Sequence, residues 1–128
     1  EEPLSGIANQ RWIEVGWTND PHSLVAASDV FVLPNRETYF DLVLLEVLSL
    51  GIPVLASKTG GNNFFVGENG IELFEDDVDF LKKMKMMIEL SPEILKNMGS
   101  ANRTLFEKEF TREKFGTRYV ELINSLCE

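Results

Sequence analysis

The stretch VFVLPNRETYFDLVLLEVLSLGIPVLA, residues 30–56, decides the fold of this chain. It opens with a short apolar run that ends at Pro34, and it closes with a second apolar run at 54–56. Both runs are typical of buried strands. Between them, residues 40–50 are apolar almost all round, which indicates a helix buried against a sheet. The order strand, helix, strand predicts a βαβ unit with parallel strands.

Further predicted elements extend this unit in both directions. Residues 11–16 alternate and end in Gly16, which indicates a strand, and residues 70–73 indicate another. Residues 21–28 are long enough for a short helix. We therefore predict an α/β fold with a Rossmann-like, doubly wound parallel sheet. We expect the sheet to be partial, lacking the first strand–helix unit, because too few residues precede residue 30 for the strand, glycine-rich turn and helix that open such a fold.

The last 50 or so residues predict a helical C-terminal region. Three positions can cap the start of a helix there: Asp76 or Asp77, then Ser91, then Thr111. Each segment carries an apolar stripe at helical spacing, which is typical of core or of a docking surface. No repeat or linker divides the chain, so we expect one domain over residues 1–128.

The composition restricts the partners and the chemistry. Twenty-one acidic and twelve basic residues give a formal charge of −9, which disfavours nucleic acid or an anionic membrane surface as a partner. No apolar run approaches the roughly 20 residues needed to cross a bilayer, and the amino end has no signal-peptide features, so we expect a cytoplasmic protein. The single cysteine, Cys127, leaves no material for a disulfide or a zinc site within the chain.

Glu46 stands inside the apolar helix predicted at 40–50. In a buried helix, an unpaired carboxylate would cost several kcal/mol. Two interpretations remain open: an outward-facing or salt-bridged structural residue, or a carboxylate held to accept hydrogen bonds from a ligand diol. The start of the same helix, beside the ends of parallel strands, favours an anion, because exposed N–H groups and the helix dipole both attract negative charge.

Several segments of the chain resemble the signature of the family 4 GT-B glycosyltransferases. They are residues 29–34, Glu37, residues 40–46, residues 51–56 and the pair Gly60-Gly61. The resemblance extends from about Trp12 to Leu126. In that family two glutamates flank the donor site. The first lies near the transferred sugar and the second on the ribose hydroxyls, while amides at the start of the intervening helix meet the diphosphate.

Glu46 matches the second of these glutamates. Glu37 precedes Glu46 by nine residues where the family pattern has eight, and the strict spacing falls on Thr38, so the resemblance assigns the catalytic position to Glu37 or Thr38. The other residues that it places at the substrate are Gly16, Asn35, Arg36, Tyr39, Phe40, Asp41 and Leu42. The chain departs from the family at Asp41, where Gly is usual, and at 62–64, where many members have a Glu. These departures bear on which sugar is used.

The resemblance implies that the full protein transfers a sugar from a nucleotide-diphosphate donor to a glycan or other hydroxyl acceptor, with retention of anomeric configuration. It implies a missing N-terminal domain that binds the acceptor, so we expect the isolated chain to be inactive. We expect no metal or other cofactor, and peripheral membrane association of the full-length protein stays open. The alternative is a non-catalytic scaffold that pairs with an active glycosyltransferase, which the displaced Glu37 and the substitution at Asp41 favour.

The acids Asp77 and Asp79 have the spacing of the metal-binding pair of the other large glycosyltransferase fold. They stand at a predicted helix start with no apolar strand leading into it. We therefore interpret them as residues that stabilise the helix start.

Overall fold

The computed structural model describes residues 12–127. Its helices are α1 (Pro21–Ala26), α2 (Leu42–Leu50), α3 (Asp77–Glu89), α4 (Pro92–Glu109) and α5 (Arg112–Leu126), with a 3-10 helix at Gly60–Phe65. Its strands are β1 (Phe31–Leu33), β2 (Val54–Ser57) and β3 (Ile71–Phe74). Within the described residues, no helix is both long enough and apolar enough to span a bilayer.

The three strands form one parallel sheet in the order β1-β2-β3. Val32 pairs with Leu55, and Leu55 pairs with Glu72. The α/β prediction is therefore confirmed, and the helical C-terminal region follows the sheet as expected. Because all strands run in the same direction, the loops that follow β1 and β2 leave the sheet at one edge. That edge carries the candidate site.

Two apolar layers cover the faces of the sheet. On one face α2 buries Leu44, Val47 and Leu48 against residues of all three strands and against Phe65 of the 3-10 helix. On the other face α3 buries Met87 beside Leu55 and Phe74. Strands covered on both faces read as continuous apolar runs, which is why 54–56 is apolar at every position.

The segment 12–16 is not a strand in the structure, so this part of the prediction is wrong, while Arg11 lies outside the described residues. A strand needs a neighbour about 4.8 Å away to complete its hydrogen bonds, and among residues 12–127 the strands β1, β2 and β3 pair with one another and not with this segment. Ile13 and Val15 are accordingly exposed.

The predicted helix starts are confirmed. Asp76, and not Asp77, caps α3, and its carboxylate accepts a hydrogen bond from the Asp79 amide at 2.8 Å. Ser91 and Thr111 cap α4 and α5 in the same way. The apolar stripe of α5 does not enter the core of the described residues. Its members Phe115, Tyr119, Leu122, Ile123 and Leu126 are exposed.

One buried amide ties α4 to the sheet. The Asn102 side chain is 1% exposed, and its Nδ2 donates to the carbonyl oxygens of Ile52 at 2.8 Å and Gly70 at 3.0 Å. These two carbonyls lie just before β2 and β3, so a single side chain fixes the amino ends of both strands. Gly70 has no room for a side chain, because a Cβ there would lie 2.1 Å from Asn102 Oδ1.

Candidate functional site

Two loops meet at the carboxyl edge of the sheet. The first joins β1 to α2 over residues 34–41, and the second leads from β2 to the 3-10 helix through Gly60 and Gly61. A Cβ at position 60 would lie 1.6 Å from the Thr38 carbonyl oxygen, and a Cβ at position 61 would lie 2.3 Å from the Tyr39 carbonyl oxygen. Two glycines are therefore required for this contact, because no larger residue allows the backbones to approach so closely.

An open pocket of about 460 Å³ lies where these loops meet. Its lining consists of Glu37, Thr38, Tyr39, Thr59 and Gly60. Glu37 is exposed, Thr38 is half-buried, and Tyr39 is 99% exposed. The structure therefore brings both candidates for the catalytic position, Glu37 and Thr38, to one pocket at the carboxyl ends of the strands. In open α/β sheets this is the edge at which ligands bind.

The start of α2 lies at the end of the first loop. Asp41 occupies the N-cap position, but its carboxylate makes no capping hydrogen bond. Instead Asp41 Oδ2 accepts a hydrogen bond from Asn35 Nδ2 at 2.6 Å. An acid at this position can cap a helix, but here Asn35 engages the carboxylate instead. The amides of Leu42 and Val43 lie in the first turn of α2, where no carbonyl of the helix can accept their hydrogen bonds. They can therefore bind an anion.

Glu46 lies one turn further along α2, and its side chain is 55% exposed. The helix is buried on one side only, because α2 turns the face with Leu44, Val47 and Leu48 to the sheet. Glu46 faces outward, as one of the two open interpretations allowed. Leu42 and Val43 are exposed with Glu46, so α2 has a solvent-facing side despite its apolar sequence. A solvated carboxylate carries no large desolvation cost and is accessible to a ligand.

The Glu46 carboxylate has a histidine neighbour on α1. His22 Nε2 lies 3.5 Å from Glu46 Oε2, and the His22 side chain is 59% exposed. Exposed pairs of this kind contribute little to folding stability. The pair therefore gives little support to a purely structural role for Glu46.

The remaining predicted residues lie in several places. Phe40 packs its ring 6.2 Å from the Phe65 ring, which ties the first loop to the core, and it keeps 41% of its surface exposed. Arg36 is exposed in the first loop. Gly16 has a φ of +67°, the left-handed region that favours glycine, in the segment before α1. It does not line the pocket at Glu37.

Charged residues of the β2 and β3 loops pair with one another. Lys58 Nζ lies 2.5 Å from Glu75 Oε1, and this hydrogen bond raises the pKa of Lys58 above its ordinary value. Burial alone would raise the pKa of Asp79. Hydrogen bonds from the Lys83 ammonium and the Glu75 amide outweigh that effect and hold the pKa of Asp79 below its ordinary value. Asp77 and Asp79 both lie in the first turn of α3, which confirms them as helix-start residues. The expectation that no apolar strand leads into this helix start is wrong, because β3 ends at Phe74, just before Asp76.

Asn62 and Ser57 are buried polar side chains at this edge, and of the two only Asn62 was singled out from the sequence, within residues 62–64. Asn62 is fully buried and donates through Nδ2 to the Ser57 carbonyl oxygen at 3.0 Å. Within residues 12–127, Asn62 Oδ1 and Ser57 Oγ have no hydrogen-bond partner. His22 and Thr59 were missed as well. No short motif marks Ser57, Thr59 or His22, and His22 reaches Glu46 only through the packing of α1 on α2.

The chain has relatives among known proteins. The sequence model of the family described as glycosyl transferases group 1 matches residues 1–89. The UDP-Gal:alpha-D-GlcNAc-diphosphoundecaprenol alpha-1,3-galactosyltransferase of Escherichia coli is 32% identical over 95 residues, which are 73% of this chain and 24% of that protein. A lipopolysaccharide core biosynthesis glycosyltransferase of Rhizobium meliloti is 26% identical over 112 residues, covering 86% of this chain and 33% of that protein.

A third relative is named as a synthase. The N-acetyl-alpha-D-glucosaminyl L-malate synthase of Bacillus anthracis is 26% identical over 111 residues, covering 85% of this chain and 29% of that protein. The chain thus spans about a quarter to a third of the length of these relatives.

Proposed function

Because the chain belongs to the glycosyl transferases group 1 family, we propose that it is the donor-binding part of a glycosyltransferase that uses a nucleotide-diphosphate sugar. The α/β fold with its parallel sheet fits the nucleotide-binding half of a GT-B enzyme. One observation supports the proposal above the others. The loop that holds Glu37 and Thr38 meets Gly60 and leads directly into the start of α2, on which Glu46 stands exposed.

The diphosphate binds at the start of α2 in this proposal. The Leu42 and Val43 amides point along the helix dipole, and the Asp41 side chain accepts no hydrogen bond from them. Asp41 itself is a negative charge near that position. The Asp41 carboxylate accepts a hydrogen bond from the Asn35 amide, and this bond partly offsets the negative charge. Amides and a dipole can stabilise the charge of the departing nucleoside diphosphate without a metal ion, and we propose that none is used.

The ribose binds at Glu46. An ionised carboxylate offers two oxygens with about four lone-pair positions, which suits the two neighbouring hydroxyls of a ribose. Glu46 stands one helical turn beyond Leu42, on the exposed side of α2. One turn rises about 5.4 Å, which is comparable to the distance from a phosphate to the hydroxyls of the same nucleotide.

The transferred sugar occupies the open pocket at Glu37 and Thr38, and the transfer retains the anomeric configuration. Glu37 is exposed and its carboxylate can accept hydrogen bonds from sugar hydroxyls, whereas Thr38 is half-buried and offers one hydroxyl. We therefore favour Glu37 over Thr38 as the catalytic side chain.

The acceptor is a glycan or another hydroxyl compound, and it binds to parts of the full-length protein outside residues 1–128. The relatives have names that point to different acceptors, a diphosphoundecaprenol-linked sugar in one and malate in another, so we assign no particular acceptor. Transfer by residues 1–128 alone is not expected.

The test is to titrate the full-length protein with a panel of nucleotide-diphosphate sugars by calorimetry, and then to supply acceptors with the donor that binds. Binding of one donor, followed by transfer with the anomeric configuration of the product equal to that of the donor by NMR, would support the proposal. Binding of no member of the panel would contradict it. Binding without transfer to any acceptor would support a scaffold in place of an enzyme.

A further inference from the structure

Tyr39 is an aromatic residue that the fold leaves uncovered. It is 99% exposed in the first loop, between β1 and α2. The other tyrosine of the chain, Tyr119, is 54% exposed and stacks its ring on Phe115, with 6.1 Å between the ring centroids. A ring that stays in water gains nothing from packing, so Tyr39 contributes little to the core. Both faces of its ring are accessible to a ligand.

The backbone that carries this ring is held in place by its neighbours. A Cβ at position 61 would lie 2.3 Å from the Tyr39 carbonyl oxygen and 2.8 Å from a ring carbon of Phe40, so Gly61 packs closely against the loop at this point. Phe40 in turn packs on the fully buried Phe65, with 6.2 Å between the ring centroids. The backbone of Tyr39 therefore has a fixed position, and two side-chain torsions stay free. A ring on such a backbone loses little conformational entropy when a ligand covers it.

The pocket at this ring combines an apolar surface with polar groups. Tyr39 is its aromatic member, and Glu37, Thr38 and Thr59 bring a carboxylate and two hydroxyls. A sugar has the same division, because its hydroxyls point outward from the edge of the ring while C–H groups cover its faces. The C–H hydrogens are slightly positive and the face of an aromatic ring is negative, so these two surfaces attract each other. The carboxylate and the hydroxyls suit the edge of the sugar.

We infer that Tyr39 is a specificity-determining residue whose ring stacks on a C–H face of the transferred sugar. The inference rests on the proposed function, since that function places the sugar in the pocket at Glu37 and Thr38. It deepens the proposal by naming the class of sugar that fits. A pyranose with an uninterrupted C–H face can lie flat on the ring, whereas an axial hydroxyl on that face holds the sugar away from it.

The experiment compares two probes on the full-length protein by calorimetry. One is the nucleotide-diphosphate sugar that binds most tightly in the donor panel, and the other is the free nucleoside diphosphate with the same base, which has no sugar to place at Tyr39. Tyr39→Ala should weaken binding of the sugar-linked probe by about five- to tenfold, as suits the burial of roughly 50 Å² of ring surface. Binding of the free nucleoside diphosphate should not change. The variant should also discriminate less among the sugars of the panel.

Two further variants serve as controls. Tyr39→Phe keeps the ring and should bind both probes as the wild type does, and Tyr119→Ala on α5 should change neither affinity. All three variants should fold, because both tyrosines are more than half exposed. A loss of affinity for both probes in Tyr39→Ala, a loss for neither, or an equal loss in Tyr39→Phe would overturn the inference. Failure of the wild type to bind any sugar of the panel would instead contradict the proposed function itself, so the two failures are distinguished.

Discussion

The Thr38 carbonyl oxygen occupies the space that a side chain at position 60 would need, since a Cβ on Gly60 would lie 1.6 Å from it. Gly60 also has a φ of +48°, in the left-handed region. The same glycine therefore allows both the backbone turn and the approach of the loop that carries Glu37. The shape of the candidate site depends on this contact between two loops.

Gly60→Ala should weaken donor binding by about tenfold or more, because the loop at Thr38 must move by more than an ångström to admit the methyl group. The free energy of unfolding should fall as well. The control is Gly67→Ala. Gly67 has a φ of +88°, but a Cβ there would meet no atom within 4 Å, so the substitution bears only the backbone cost of about 1–2 kcal/mol. Calorimetry and urea unfolding of both variants check this. Equal effects of the two substitutions on affinity would count against the loop contact.

Asn102→Ala should lower the free energy of unfolding by about 2–4 kcal/mol, because the carbonyl oxygens of Ile52 and Gly70 lose their buried donor. Asn97→Ala, an exposed position in the same helix, should change it by less than about 0.5 kcal/mol. Urea unfolding followed by circular dichroism measures both. Similar midpoints for the two variants would show that Asn102 does not hold the strand starts.

Asp79→Asn should destabilise the protein at neutral pH and have little effect in acid. Bonds from Lys83 and Glu75 hold the folded pKa of Asp79 below the unfolded value of 3.8. A depressed folded pKa means that the stabilisation is present above the unfolded pKa and is lost as the pH falls through the folded pKa. The difference in unfolding free energy between wild type and variant should therefore shrink as the pH falls below about 4. A difference that is constant with pH would contradict the assignment.

The same substitution also tests the interpretation of the acid pair at the start of α3. Neither Asp77→Asn nor Asp79→Asn should change donor affinity, because both residues lie in the first helical turn and Asp79 is engaged by Lys83. Donor titrations of the two full-length variants, with and without Mn²⁺, are the measurement. A loss of affinity that Mn²⁺ restores would identify a metal site instead.

The sequence predicted the helix starts and the strand that depend on residues close to one another in the chain. The caps at Asp76, Ser91 and Thr111 and the apolar run of β2 depend on residues within one turn or one strand, and all four are present in the structure. The failure at 12–16 has a non-local cause, because alternation shows that a segment can form a strand but does not show what it pairs with.

The site was predicted less completely for a similar reason. The apolar pattern of α2 gave no polar face, so the exposure of Glu46 could not be read from its neighbours in the chain. His22 and Glu46 are 24 residues apart, and their contact comes from the packing of α1 on α2. The resemblance placed Glu37, Thr38 and Glu46 near a donor, whereas the companion side chain His22 required the fold.

Glu37→Gln should reduce the turnover of the full-length enzyme far more than Thr38→Ala does. Both residues line the pocket, but Glu37 is exposed and carries a carboxylate, while Thr38 is half-buried. Steady-state rates at saturating donor measure the two effects, and donor affinity serves as the control for misfolding. The opposite order of rates would assign the position to Thr38.

The central claim is that Glu46 binds the ribose of the donor, and Glu46→Gln in the full-length protein tests it most directly. Charge-assisted hydrogen bonds contribute roughly 1.5–3 kcal/mol each before desolvation, and 1.4 kcal/mol corresponds to about tenfold in affinity. Glutamine keeps the shape and one acceptor oxygen but removes the charge. We predict that calorimetry shows donor affinity about tenfold weaker or more, with the melting temperature close to wild type because the side chain is exposed. Glu121→Gln on α5 is the matched control and should change neither quantity. Unchanged donor affinity in Glu46→Gln, with or without a lower melting temperature, would contradict the account.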